Sequence, residues 1–258
     1  MLLVLFLFLI FICWGSFLNV VAYRITYDKP FLTKRSYCPH CESFIAWYDN
    51  IPILSWLLLG GKCRSCKKSI SYLYPLIEIA SGLIFTALFY ELFPDFFSSA
   101  FIAHYITYFI FFSALIISTR TDLQEMVIPQ IFSIWLIPVG VIAAFLGFSF
   151  VSPLGAIIGA ALGYGILWVI AKLFFYFAKR EGMGEGDMEL LGMIGSFLGP
   201  VGVWFTLLAG SIAGFLIGGV YMLISGKGRY AKIPFGPFLA LGATLYFFGK
   251  ITGLIDFP

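Results

Sequence analysis

Stretches of mostly apolar residues, each long enough to cross a membrane, recur along nearly the whole chain, and this pattern constrains the fold more than any other feature. About 20 such residues span a hydrocarbon core about 30 Å thick as a helix. Lipid offers the backbone no hydrogen-bond partners, so a spanning segment must satisfy its own N–H and C=O groups. Long apolar runs do this as helices, whereas barrel strands are about 10 residues long and alternate in polarity. The pattern predicts an all-α membrane protein, a polytopic bundle of about eight transmembrane helices, and excludes an outer-membrane barrel. Composition agrees: 61% of the residues are apolar and 11% charged, against about 25% charged in a soluble domain.

The expected spans are 1–23, 73–92, 99–119, 129–148, 154–178, 188–200, 202–224 and 234–255. All 16 Lys and Arg except Lys172 and Lys250 fall in the segments 24–72, 120–128, 179–187 and 225–233. The opposite side carries Glu91, Asp95 and Asp256. The positive-inside rule places those four segments in the cytoplasm and the N-terminus outside; Lys172 and Lys250, near span ends, reach a headgroup by snorkelling. The first stretch has no basic residues before it and no small-residue cleavage site, so it is expected to stay attached rather than act as a signal peptide. The expected divisions are a first transmembrane helix at 1–23, a cytoplasmic four-cysteine domain at 24–72, and a transmembrane core at 73–258 whose loops 120–128 and 179–187 carry the candidate catalytic residues. A net charge of +3 gives no electrostatic case for nucleic acid. Membrane lipid is the expected surrounding.

Residues 24–72 are too few for a strong apolar core. Two pairs, Cys38-Pro-His-Cys41 and Cys63-Arg-Ser-Cys66, separated by residues 42–62, supply a staple. Four thiolates at this spacing suit one tetrahedral structural zinc. Disulfides or free thiols are the alternative, and a cytoplasmic placement argues against disulfides. Four sulfurs leave no open position for water, so the metal folds the loop and does no chemistry. His40 is expected to face solvent, and Cys13, in the first span, to pack against a neighbour.

Asp122 follows the third span in Thr121-Asp122-Leu123, and Asp187 closes Gly182-Met183-Gly184-Glu185-Gly186-Asp187 before the sixth. Both are expected at the cytoplasmic membrane edge. Two carboxylates brought together resist joint ionisation, so one keeps a proton while the other activates water, as in peptide hydrolysis by an aspartic dyad. Glycines 182, 184 and 186 tolerate positive φ and close approach, which suits a loop against which an extended peptide lies. A structural reading stands beside this one: Asp187 as a helix N-cap and Asp122 as a loop carboxylate balancing Arg120. Spacing alone leaves the two balanced.

Several ordered motifs tip the balance. They are Gly15-Ser16-Phe17-Leu18-Asn19-Val20-Val21, the paired CxxC, Trp47-Tyr48-Asp49-Asn50-Ile51-Pro52 with Leu54-Ser55-Trp56, and Ile70-Ser71 leading to Tyr74-Pro75-Leu76-Ile77-Glu78. The Asp122 segment, the glycine-rich run ending at Asp187, and Ile233-Pro234-Phe235-Gly236-Pro237-Phe238-Leu239-Ala240-Leu241-Gly242 follow. Together they resemble the bacterial type IV prepilin peptidases, in family order from the first span to the last. The resemblance implies an inner-membrane aspartic endopeptidase that cuts the leader from prepilin or pseudopilin substrates at the cytoplasmic face, with Asp122 and Asp187 as its dyad. It also implies N-methylation of the new terminus from S-adenosylmethionine, an activity linked in that family to the zinc loop. Two departures stand out: Gln130 follows Ile128-Pro129 where an acidic residue is frequent, and Glu189 stands where a lysine commonly follows Asp187.

Glu78, about one turn into the second span, is an ionisable group in lipid and so a functional candidate. It reads either as part of the methyl-transfer site or as a helix–helix hydrogen bond. Gly61 and Lys62 read as a meeting point for an anionic cofactor group or as a turn with a surface lysine. Ser16, Asn19 and Tyr23 share one helical face and are expected to join helices. The same role is expected of Gly210, Gly214, Gly218 and Gly219. Two rival functions remain, another membrane aspartyl protease without the zinc loop, and a transporter or scaffold. The second fits poorly, because transport sites lie near the bilayer midplane and these aspartates are expected at one edge.

Overall fold

A computed structural model describes residues 2–30, 35–93, 98–180, 182–225 and 233–255. Lys34, Asp95, Lys227, Arg229, Lys232 and Asp256, used above to set the topology, lie outside the described residues. The chain divides into two compact units, 1–96 and 97–258. Both are helical, and among the described residues the β contacts are isolated bridges.

The first unit contains α1 (Leu2–Thr26), α2 (Leu54–Leu58) and α3 (Leu73–Leu92). α1 and α3 meet through small residues. A methyl on Gly15 would press on Ser81 and the Glu78 backbone, and one on Gly82 on Phe8 and Ile12, so bulkier residues would separate the helices. The polar face of α1 joins the same contact: Asn19 Nδ2 donates to the Tyr74 carbonyl at 3.2 Å, Ser16 hydrogen-bonds Glu78, and Tyr23 bonds Tyr37 of the following loop. Cys13, in contrast, is exposed on α1 and not a packing residue.

The second unit contains α4 (Ser99–Glu125), two 3-10 turns (Gln130–Phe132 and Ile134–Leu136), α5 (Ile137–Phe145), α6 (Pro153–Ala178), α7 (Glu185–Ser225) and α8 (Gly236–Ile251). α4 and α6 start at serine caps: Ser98 Oγ accepts from Phe101 N–H, and Ser152 Oγ from Gly155 N–H, which satisfies end groups that no helix can satisfy internally. α6 and α7 touch backbone to backbone. A side chain on Gly159 would collide with the Gly195 carbonyl, and one on Gly163 with that of Leu191. α8 closes on α7 in the same way, Gly242 against the Thr206 carbonyl and Gly210 against that of Phe238. Gly214 and Gly218 face Phe238 and Ile233, whereas Gly219 has open space and no packing role. Tyr108, Phe111, Phe112, Phe197 and Phe247 fill the centre, nearly or fully buried and in mutual ring contact.

Among the described residues, five helices are long and apolar enough to cross a membrane: Leu2–Thr26, Leu73–Leu92, Phe101–Glu125, Pro153–Ala178 and Glu185–Val220. The stretch 129–148 is instead broken into 3-10 turns and a nine-residue helix, because Pro129 and Ser133 interrupt it. The expected spans 188–200 and 202–224 fall in α7, whose helical course is interrupted at Gly199 (φ 74°, ψ −177°) just before Pro200. Proline removes a backbone donor and clashes with the preceding turn, and glycine admits the positive φ that the break requires. The third span runs on to Glu125 and α7 begins at Glu185. Asp122 and Asp187 are therefore helical residues, not loop residues.

Candidate active site

Asp122 lies in the last turn of α4 and is 5% exposed. The helix ends just beyond it at Met126 (φ 55°), whose N–H returns to the Asp122 carbonyl at 3.0 Å. Pro129 then disfavours helical geometry at Ile128, so the chain leaves α4 at this point. Across the unit, Gly236 opens α8, and its N–H donates to Asp122 Oδ2 at 2.9 Å. Amides in the first turn of a helix have no internal acceptor, and the positive end of the helix dipole favours a carboxylate there.

Asp187 is the third residue of α7, half-buried in its first turn. It is thus inside the helix and not its N-cap. Ile128 connects the two acidic segments. A methyl on Gly186 would lie 3.0 Å from Ile128 Cβ, and one on Gly236 3.2 Å from Ile128 Cδ1 and 2.8 Å from Asp122 Oδ2. One isoleucine is therefore seated against the neighbour of Asp187 and against the glycine that binds Asp122. The two carboxyl groups are close enough for the charge of Asp122 to act on Asp187. Arg120, buried on the same helix as Asp122, donates to Gln124 Oε1.

The cysteines also converge. The Sγ atoms of Cys38, Cys41, Cys63 and Cys66 lie within 4.8 Å of one another, with Cys38 and Cys66 3.9 Å apart. Tetrahedral zinc with bonds of about 2.3 Å to sulfur requires S–S separations of about 3.8 Å. The two knuckles share one backbone design. Glu42 N–H returns to the Cys38 carbonyl and Lys67 N–H to that of Cys63, and Glu42 and Lys67 both have positive φ, 55° and 60°. The Ser43 hydroxyl and amide hold the Cys41 thiol down to about 6. At Cys66 the Lys68 amide favours the thiolate, but burial and the other three sulfurs push it up to about 11. Four clustered sulfurs thus resist full deprotonation by themselves, and a cation would satisfy them. Arg64 ties the second knuckle to the Trp47–Asn50 turn through a forked pair with Asp49, at 2.7 and 2.6 Å. His40 is exposed, as expected.

Glu78 is buried in α3, and its Oε2 accepts from the Ile53 N–H at 2.8 Å. Ile53 has φ 62°, a strained conformation for a β-branched residue, so the carboxylate holds a turn that its own sequence disfavours. Gly61 (φ 66°) lies against the Trp56 ring and donates to the Trp56 carbonyl at 2.8 Å, while Lys62 is exposed. Glu78 and Gly61 therefore brace the two ends of α2 through Ile53 and Trp56.

Sequence reasoning missed three participants: Gly236 as a donor to Asp122, Ile128 as the spacer, and Ile53 as the strained partner of Glu78. Pro234 and Pro237 around Gly236 did mark a helix start, but nothing local indicates which carboxylate that start would face.

The chain matches the bacterial peptidase A24 N-terminal domain over residues 9–92 and the type IV leader peptidase family over residues 109–219. A prepilin leader peptidase/N-methyltransferase of Aeromonas hydrophila is 35% identical over 91% of this chain and 86% of its own length. The chain belongs to the type IV leader peptidase family. Other members with the same description come from Myxococcus xanthus, 34% identical over 86% of this chain and 64% of its own length, and Stutzerimonas stutzeri, 32% identical over 88% and 84%. No solved structure matches the chain significantly. Both family matches cover candidate residues, the A24 N-terminal domain the cysteines and Glu78, and the leader peptidase region Asp122 and Asp187.

Proposed function

We propose that this chain is a prepilin leader peptidase and N-methyltransferase of the bacterial inner membrane, with Asp122 and Asp187 as its catalytic dyad at the cytoplasmic face. Family membership supports the activity. The observation that carries the residue assignment is the seating of Ile128 between Gly186 and Gly236, which gathers the two aspartates from segments far apart in sequence. In this reading a prepilin or pseudopilin lays its hydrophobic segment in the membrane and presents the scissile bond to the dyad. One carboxylate takes a proton from water as the water attacks the carbonyl, while the other carboxyl donates its proton to the carbonyl oxygen; on collapse the first passes the proton it took to the departing amine and the second recovers one from the hydroxyl of the tetrahedral intermediate. The proton belongs to the pair and is assigned to neither residue. The Gly236 amide fixes the rotation of the Asp122 carboxylate, so the group needs no reorganisation when the peptide arrives.

Cys38, Cys41, Cys63 and Cys66 would hold a structural zinc, which supplies folding energy to the 24–72 loop and takes no part in bond cleavage. S-Adenosylmethionine supplies the methyl group for the amine that cleavage frees. Of the residues assigned to methyl transfer, exposed Lys62 suits an anionic group of the donor. Glu78, engaged by Ile53 and Ser16, acts behind that surface by holding the turn.

Purified enzyme in lipid with a prepilin substrate tests the dyad. Asp122→Asn and Asp187→Asn should each abolish leader cleavage while the protein stays folded. Normal cleavage by either variant would remove that residue from the dyad.

A further inference from the structure

Glu189 is a buried carboxyl that the cleavage mechanism does not use. It lies two residues beyond Asp187 on α7 and is 6% exposed. Burying such a group is costly unless hydrogen bonds replace water, and both of its oxygens are engaged: Oε1 accepts from Gln130 Nε2 at 3.0 Å and Oε2 from Ser133 Oγ at 2.9 Å. Both donors come from one short segment, the 3-10 turns after Pro129, and Ser133 is fully buried. Two bonds from one rigid carboxyl plane to one segment fix its rotation as well as its distance. Further along, Gly140 already packs on Ser196 and Phe197 of α7, so Glu189 pins the end of this stretch that is nearest Asp187. Ile128 lies immediately before the pinned segment.

We propose that Glu189 is a positioning residue for leader cleavage: by clamping Gln130 and Ser133 onto α7 it holds Ile128 between Gly186 and Gly236 and so sets the spacing of Asp122 and Asp187. The inference rests on the dyad reading given above. Glu189 moves no proton in this role, so an uncharged residue that keeps the clamp should serve.

The test uses full-length enzyme in lipid, with kcat and KM for leader cleavage measured per folded molecule and thermal unfolding recorded alongside. Glu189→Ala should lower kcat about 10- to 100-fold, the scale expected for an ångström-level misplacement of reacting groups, with KM little changed. Glu189→Gln, which keeps an acceptor for Gln130 and lets Ser133 accept in place of donating, should restore kcat to within about threefold of wild type, since the clamp geometry is retained. Wild-type kcat in Glu189→Ala overturns the proposal, as does a Glu189→Gln variant as impaired as Glu189→Ala. If Glu189→Ala does not fold, Ser133→Ala removes the short bond to Oε2 together with the longer contacts of the Ser133 hydroxyl to the Pro129 and Gln130 carbonyls at 3.4 and 3.5 Å, and leaves the Gln130 bond in place. A reduced kcat then supports the clamp and an unchanged kcat overturns it. Inactive Asp122→Asn and Asp187→Asn enzymes beside a fully active Glu189→Ala enzyme would leave the dyad standing and remove only the clamp. Active aspartate variants would remove the dyad itself.

Discussion

The amide of Gly236 donates to Oδ2 of Asp122 at 2.9 Å across 114 positions of sequence. The first turn of α8 thereby becomes part of the surroundings of a carboxylate at the end of α4. It also explains why a residue without a side chain stands there, since a methyl would lie 2.8 Å from that oxygen.

Gly236→Ala should therefore impair cleavage by displacing Asp122 or Ile128, without unfolding the bundle. The added methyl is expected to cost about 1–3 kcal/mol, as overpacking does, and to lower kcat by about 10-fold or more through misplacement of the carboxylate. Steady-state cleavage beside a thermal melt checks it; unchanged kcat would mean that the Gly236 contact has no part in catalysis.

Glu78→Ala takes the acceptor from Ile53 and leaves a strained turn unsupported. We expect N-methylation to fall while leader cleavage persists, because Glu78 belongs to the first unit and the aspartates to the second. Mass spectrometry of the processed pilin separates the two products. Equal loss of both activities would count against a role specific to methyl transfer.

The four sulfurs predict one zinc per chain, measurable by elemental analysis of the purified protein. Cys38, the buried member of the set, should be the most sensitive position, and Cys38→Ser should lower zinc content and weaken methylation more than cleavage. Protein without stoichiometric zinc would defeat the metal assignment.

The forked pair of Arg64 and Asp49 gives the loop a defined acid response. The guanidinium holds the Asp49 carboxyl below its ordinary range. A depressed carboxylate contributes stability that is fully present above its unfolded pKa of about 3.9 and is lost as pH falls through the lower folded value. Wild type should thus hold zinc against a chelator better than Asp49→Asn near neutrality, and the difference should shrink under strong acid. The exposed position of Arg64 keeps the effect small. A wild-type advantage that grows on acidification would contradict the assignment.

Much of this protein follows from local chemistry. The apolar runs had to become helices because lipid leaves their backbones no other partners, and Gly199-Pro200 had to interrupt α7 because of what those two residues permit and forbid. The CxxC pairs fixed the composition of the four-sulfur cluster, because each short turn presents two sulfurs to one point wherever it occurs. The Pro129 region was harder to read: an apolar stretch looks the same whether it crosses a membrane as one helix or folds into 3-10 turns and a short helix.

Only the tertiary structure decided which elements meet. Asp122 and Asp187 were legible as candidates, but balanced against structural roles until the motifs around them were weighed, because each is a carboxylate near a helix end. Their relation is set by Ile128, Gly186 and Gly236, and the partnership of Glu189 with Gln130 and Ser133 likewise joins α7 to a distant turn. Hydropathy and spacing report on neighbours along the chain. Contacts across a bundle depend on how closely whole helices approach, and here glycines such as Gly159, Gly195 and Gly242 set that approach by letting backbone meet backbone.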